Sequence, residues 1–177
     1  MKNKGEPVII WIMGLAGSGK TTLAKELRNR LQNSIYIDGD EFREVFGSVN
    51  YDKDSRIKIA MQKARLANAL SKQGFTVICT AISMFEQNYN FNRRLDEKYI
   101  EIYLKCEFEE LVKRDQKGLY TGALSKQIKN VVGVDIKYDE PNADITLDSS
   151  DFSNLQANLD KILTLLKRQK SEKLQNN

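Results

Sequence analysis

The chain has no histidine and only two cysteines among its 177 residues. The missing imidazole excludes histidine-dependent triads, histidine–zinc sites and histidine general bases, so any proton transfer falls to carboxylates or lysines. Cys79 and Cys106 form no C-x-x-C pair, and both lie in or at the end of apolar runs. That pattern fits reduced core residues of a cytoplasmic protein rather than a disulfide framework. No segment approaches the ~20 apolar residues of a membrane span, and the charged Met1–Glu6 is followed by no apolar leader core. Repeats and linkers are also missing. Charge of one sign is scarce: the net charge of +4 is mild. Much of the excess sits in Lys167, Arg168, Lys170 and Lys173, which reads as a solvated helix face. With no aromatic residues interleaved, that cluster lacks what a nucleic-acid surface needs.

What is present is a chain of ordinary globular composition, 41% hydrophobic and 29% charged, of a length suited to one domain, residues 1–177. Near its start stands Gly14-Leu15-Ala16-Gly17-Ser18-Gly19-Lys20-Thr21, which fits the phosphate-loop pattern G-x-x-x-x-G-K-[ST]. Val8–Met13 before it is a short apolar run rich in β-branched residues, as in a buried strand. Leu23, Leu27 and Leu31 after it repeat every four residues, the stripe of an amphipathic helix. In that setting the glycines let successive N–H groups turn inward toward phosphate oxygens, and the helix N-terminus adds its positive dipole end. Lys20 is expected to reach the β- and γ-phosphates of ATP and the Thr21 hydroxyl to ligate Mg²⁺. An ordinary Gly/Ser-rich turn would not need every fixed position of the pattern.

Further along, Ser34–Ile37 reads as a second strand, and a helical pattern runs from about Asp54 to Lys72. Phe75–Thr80 is a third strand, followed by a loop over 81–88 and a shorter helix through Arg93–Lys98. Ile100–Leu104 is a fourth strand, Glu107–Arg114 a helix, and Ile145–Leu147 a last strand before a closing helix marked by Leu155, Leu159, Ile162 and Leu166. The pattern weakens over 115–141, and the polar end from about 170 to 177 is expected to fray. Strands alternating with helices predict an α/β fold: a three-layer sandwich of the P-loop NTPase type, with a parallel sheet of about five strands and ligands at the strands' carboxyl ends.

Asp38-Gly39-Asp40 ends the second strand. Two carboxylates one residue apart, in a turn made by Gly39, suit two tasks, holding Mg²⁺ and accepting the proton of an attacking hydroxyl. Asp38 and Asp40 are therefore candidate metal partners and, with Lys20, candidate catalytic residues. An Asp-Gly turn with no chemistry is the competing reading.

Gly14–Thr22, Asp38-Gly39-Asp40-x-x-Arg43, Arg114-Asp115-Gln116-Lys117-Gly118-Leu119-Tyr120 and Ile128-Lys129-x-x-x-Gly133-x-Asp135-x-x-Tyr138 together resemble the motifs of adenylylsulfate kinases, from about residue 8 to about 150. Those enzymes move the γ-phosphoryl of ATP to the ribose 3′-hydroxyl of adenylylsulfate. The resemblance implies an ATP set of Gly14, Ala16, Gly17, Ser18, Gly19, Lys20, Thr21, Thr22 and Arg114. It implies a lid at about 115–141 that carries Lys117, Gly118 and Leu119 to the substrate, and acceptor contacts from Arg43 and Arg56. It also implies a homodimer. The departures gather on the acceptor side. Where the family sandwiches adenine between two phenylalanines, Tyr51 and Ala81 stand here, the latter in Thr80-Ala81-Ile82-Ser83-Met84. One base-stacking partner is worth ~1–3 kcal/mol. In the family's D-R-x-x-N-x-R, Ser55-Arg56 is followed by Ile59 and Met61, and one residue is missing between Arg43 and Tyr51.

Kept ATP motifs beside a rebuilt pocket (Tyr51, Arg56, Ala81, Ile82, Ser83) point to the same transfer onto a different small-molecule nucleotide. The expected acceptor is cytidine diphosphoramidate, the substrate of a branch of the family found in bacterial capsule pathways; adenylylsulfate is the alternative. A nucleoside monophosphate or sugar-acid kinase would not need R-D-x-K-G-L-Y. A GTPase-like switch would need N-K-x-D, which the chain lacks. A non-catalytic nucleotide-binding module would not need Lys20, Thr21, Asp38, Asp40, Arg114 and Lys117 together.

Overall fold

Ile9–Met13 consists of five apolar residues with every side chain buried, and it forms the central strand β1. Only a strand covered on both faces can hide alternate residues that point in opposite directions. Ile10 and Ile12 pack on one side with Leu23, Ala24 and Leu27 of helix α1 (Lys20–Arg30) and with Leu159 and Ile162 of the closing helix. Ile9, Trp11 and Met13 face the other side, against Ala60, Ala64 and Ala67. Each such fully buried aliphatic side chain contributes about 1.5–3 kcal/mol. The result is the expected three-layer α/β sandwich.

The computed structural model describes residues 6–95 and 98–175. Its remaining elements are β2 (Ser34–Ile37), α2 (Gly39–Val45), α3 (Lys53–Lys72), β3 (Thr76–Ala81), α4 (Glu86–Asn92), β4 (Tyr99–Lys105), α5 (Phe108–Arg114), α6 (Leu119–Leu124), β5 (Ile145–Asp148) and α7 (Leu155–Gln175). All five strands are parallel, in the order β2-β3-β1-β4-β5. Met13 lies between Ala81 and Tyr103 in register. The carboxyl ends of β1, β3 and β4 therefore finish side by side. From β1 the chain goes outward to β2 on one flank and later to β4 on the other, and ligands bind at such a switch point.

Three expectations are corrected. The helix placed through Arg93–Lys98 is instead α4, Glu86–Asn92, and Arg93–Leu95 form a turn (residues 96–97 lie outside the described residues). Phe85 and Tyr89, four apart, are the pair that faces the core, so the helix starts on them. Asp38-Gly39-Asp40 is not a free turn: Asp38 caps α2, its side chain accepting from the amides of Asp40 and Glu41. The loop expected over 81–88 is shortened by the same early start of α4.

Over 115–141 the chain is irregular but packed. A short 3₁₀ turn, Gln116–Gly118, precedes α6, Val132 bridges Ile136, and Tyr120, Val131 and Val132 are buried. Helix α7 continues to Gln175. Of the basic cluster on it, Lys167 and Arg168 are exposed. The side chains of Lys170 and Lys173, and residues 176–177, lie outside the described residues. No helix among the described residues is long and apolar enough to cross a membrane.

The crowding at the end of β1 gives a direct test. A Cβ on Gly14 would lie 2.5 Å from the Leu104 carbonyl oxygen and 2.6 Å from the Ser18 hydroxyl. Gly14→Ala should destabilise the fold by about 1–3 kcal/mol, the usual cost of overpacking. A denaturant midpoint equal to that of the parent would refute this close approach.

Candidate active site

The phosphate loop is built as its glycines require. Gly17 (φ +79°) and Gly19 (φ +88°) are left-handed, a conformation that suits residues without a Cβ. The Gly14 amide donates to the Ala81 carbonyl at 3.3 Å, tying the loop to the end of β3. Lys20 opens α1 with its amine folded onto the loop: Nζ donates to the Leu15 carbonyl at 2.6 Å. Burial pushes its pKa down to about 7, against the opposing pull of the Asp40 and Asp38 carboxylates. Thr21 and Thr22 are exposed beside it.

The aspartate corner meets this loop across Thr21. Its hydroxyl lies 3.5 Å from Asp38 Oδ2, the outer limit of a hydrogen bond. The other partners of Asp38 are stronger. The Tyr36 hydroxyl donates to Oδ2 at 2.6 Å and the Asp40 amide to Oδ1 at 2.8 Å. Burial would raise the Asp38 pKa, but the Tyr36 hydroxyl and the two backbone amides outweigh it and hold the carboxyl below its ordinary value. Asp40, the second residue of α2, is exposed. Tyr36 was not among the sequence candidates, although residues i and i+2 of a strand share a face and so pair Tyr36 with Asp38.

On the acceptor side, the structure brings Arg43, Tyr51 and Arg56 together. The guanidinium carbons lie 4.5 Å (Arg43) and 5.4 Å (Arg56) from the centre of the Tyr51 ring. Backbone carbonyls fix both arginines: Arg43 donates to Asn50 at 2.8 Å, and Arg56 to Tyr51 and Asn130, each at 2.7 Å. Burial, helped by the charge of Arg43, lowers the Arg56 pKa to about 10. Tyr51 itself stays 45% exposed, so its ring is open to a ligand. Ala81 ends β3 and is buried, Ile82 is half-buried, and Ser83 spends its hydroxyl on Asn88 Oδ1 at 2.8 Å.

Arg114 is a strut rather than a free cation. It donates to the Glu110 carboxylate, to the Gly17 carbonyl at 3.2 Å, and to the Ser149 and Ser150 carbonyls at 2.8 and 2.9 Å. Its guanidinium lies 3.9 Å from the centre of the Phe152 ring. Ser149, Phe152, Ser18, Gly19 and Thr22 share one cavity beside the phosphate loop. Beyond Arg114, Lys117 is exposed with φ +62°, Gly118 caps α6, and Leu119 begins it. The Tyr120 hydroxyl, another contact that sequence reasoning missed, donates to the Ala16 carbonyl at 2.7 Å.

A phosphate loop on the central strand, a carboxylate corner beside it and an aromatic–arginine pocket define a phosphate-loop kinase. The family described as adenylylsulphate kinase matches residues 6–148. The chain belongs to that family. It is 48% identical over 167 residues to the cytidine diphosphoramidate kinase of Campylobacter jejuni, covering 92% of this chain and 98% of the relative. It is 34% identical to a probable adenylyl-sulfate kinase of Aeropyrum pernix, over 90% of this chain and 92% of that one. The fold matches the Mycobacterium tuberculosis APS kinase CysC, solved with AMPPNP and APS, with a TM-score of 0.84 at 24% identity over 92% of this chain and 98% of that chain. The chain is thus a kinase that binds ATP.

Two pH effects follow. The lowered pKa of Asp38 contributes stability that is complete above pH ~4 and is lost as pH falls through the folded-state value. Tyr36→Phe raises that value, so its acid-unfolding midpoint, followed by Trp11 fluorescence, should move to higher pH. An unchanged midpoint would sink the role given to Tyr36. Lys20, its pKa lowered to about 7 by burial on the loop, is largely neutral at pH 8. A triphosphate recharges it, so ATP binding at pH 8 should take up a proton, read calorimetrically in buffers of different ionisation enthalpy. No buffer dependence would contradict the amine's placement.

Proposed function

We propose that the chain transfers the γ-phosphoryl of ATP to the ribose 3′-hydroxyl of cytidine diphosphoramidate. The observation that carries this reading is the acceptor pocket. It has one exposed aromatic ring, Tyr51, flanked by Arg43 and Arg56, and a small Ala81 where adenylylsulfate kinases stack a second ring. The higher identity to the Campylobacter jejuni enzyme than to the adenylyl-sulfate kinase points the same way.

In this reading the residues divide the work. Lys20 leaves the Leu15 carbonyl for the β- and γ-phosphates, and the loop amides hold the remaining oxygens. The Thr21 hydroxyl and Asp38 carboxylate, 3.5 Å apart, are hard oxygen donors of the kind Mg²⁺ prefers. No cluster of three or more acidic or sulfur ligands occurs among the described residues, which suits an ion that keeps most of its waters and leans on substrate phosphates. Bound there, Mg²⁺ would neutralise charge on the transferring group. Asp38, already a firmly held anion, suits the metal side, and exposed Asp40 is free to accept the proton of the 3′-hydroxyl. Lys117, Gly118 and Leu119 close over the acceptor, while Arg114 keeps the loop in place. A homodimer completes the proposal.

The test is a competition. Protein, ATP and Mg²⁺ are incubated with cytidine diphosphoramidate or with adenylylsulfate, and the new phosphomonoester is followed by phosphorus NMR. Turnover of the cytidine compound with little of the other is the expected outcome. The reverse preference would make the protein an adenylylsulfate kinase. Lys20→Ala should lower transfer by at least ~100-fold, as removal of a charge-stabilising donor does; unchanged transfer would favour a non-catalytic nucleotide-binding module.

A further inference from the structure

Helix α3 turns a stripe of small residues, Ala60, Ala64 and Ala67, toward the sheet, and in the middle of that stripe stands a lysine. Lys63 is 2% exposed. Its amine donates to the Thr80 carbonyl and lies 5.1 Å from the centre of the Trp11 ring. Strand β2 ends at Ile37, opposite Cys79, so the ladder offers no β2 residue opposite Thr80, and the lysine supplies the donor. No carboxylate lies within ion-pair distance of the amine among the described residues. A buried amine without a direct counter-charge is costly, and a carbonyl with one ring is thin compensation.

What lies next to it explains its place. A Cβ on Gly39 would sit 3.6 Å from Lys63 Nζ and 3.4 Å from the Thr80 carbonyl oxygen. The amine therefore lies beside Gly39, on the side where a side chain of the Asp38-Gly39-Asp40 corner would stand. Asp38, Asp40 and Lys20 all lie within its electrostatic reach, the carboxylates attracted and Lys20 repelled. Besides these three, the titratable and charged groups near it are the Cys79 thiol on β3 and the Arg43 guanidinium on α2.

We propose that Lys63 is a positioning residue for phosphoryl transfer, holding the Asp38-Gly39-Asp40 corner from inside the fold. The inference rests on the proposed role of those aspartates. Lys63 touches no substrate. It fixes the backbone on which both carboxylates stand, and it joins that backbone to the end of β3, whose next residue, Ala81, accepts from the Gly14 amide. A displacement of about 1 Å at such a corner can cost ~100-fold in rate.

The experiment uses Lys63→Met, which keeps the length and removes the amine, and Lys63→Gln, which keeps a donor. Each is assayed for kcat and KM in the native and Asp38→Asn backgrounds, with cytidine diphosphoramidate and adenylylsulfate as parallel acceptors. Lys63→Met should lower kcat roughly 10–100-fold with the KM for ATP within about threefold. In the Asp38→Asn background the further loss should be under about threefold, because the two changes damage one unit. A kcat near that of the parent, or losses that multiply fully in the double variant, would overturn the proposal and leave Lys63 a filler of the interior. If Lys63→Met does not fold, Lys63→Gln is judged by the coupling to Asp38→Asn alone. Activity of the parent on adenylylsulfate only would overturn the acceptor assignment, and Lys63 would then be judged on that acceptor.

Discussion

The phosphate loop leaves β1 through a gap that is too narrow for a side chain. Gly14 passes so close to the Leu104 carbonyl and the Ser18 hydroxyl that any Cβ would overlap them, while its amide reaches sideways to the Ala81 carbonyl on β3. The neighbours on both flanks of β1 therefore fix where the loop begins. Three further contacts fix how it runs. Arg114 holds the Gly17 carbonyl, the Tyr120 hydroxyl holds the Ala16 carbonyl, and Leu15 packs against Gly133, where a Cβ would be 3.1 Å away. With its carbonyls drawn outward by these struts, the loop can keep its amides turned inward before any phosphate arrives. That is preorganisation in the sense that matters for charge stabilisation.

The electrostatics follow from the same crowding. Two amines, Lys20 and Lys63, are buried within reach of two carboxylates, and burial lowers the pKa of both amines. The Asp38 pKa is lowered too, but there the charged form is the one favoured, because hydrogen bonds to a charged acceptor, worth about 1.5–3 kcal/mol each when well formed, outweigh its desolvation. The free site thus holds an anion ready for a cation and an amine with a weakened hold on its proton. An incoming triphosphate with its counter-ion supplies what each lacks. Lys20 must give up the Leu15 carbonyl to meet it, a short reach within one loop.

Most of the fold was legible because hydrophobic period and glycine placement agree along the first half of the chain. β1, the loop and α1 follow from Val8–Leu31, and the long helix was placed to within a residue of Lys53–Lys72. Helix α4 was not, because Phe91 and Leu95 continue an apolar rhythm that Phe85 and Tyr89 in fact set. The corner at Asp38 read as a turn because Asp-Gly is a turn signal, whereas its carboxylate accepts two amides and starts a helix. The site was legible where chemistry sits in contiguous motifs. It was not where a partner comes from across the fold. Lys63 looks like the polar side of an amphipathic helix, and only the end of β2 one residue short of Thr80 makes that position need a donor. Arg114 matched a motif, but its three carbonyl acceptors on two separate loops are invisible in sequence.

Ala81 shows how the acceptor side can change while the ATP side stays intact. Its backbone carbonyl serves the phosphate loop, and its side chain faces the α3 side of the sheet with Trp11 and Met13. Backbone and side chain at this position answer to different ligands. A ring placed there or removed alters what can stack beyond the strand end without moving the Gly14 amide. The opposite wall is similarly decoupled. Tyr51 is carried by Arg43 and Arg56 through backbone carbonyls, and those three residues touch no part of residues 14–21 by any hydrogen bond among the described residues. Loss of one aromatic partner, ~1–3 kcal/mol for a stacked base, then falls on acceptor binding alone. A kinase built this way can exchange the nucleotide it phosphorylates by substitutions at two walls, with its phosphate machinery left as it was.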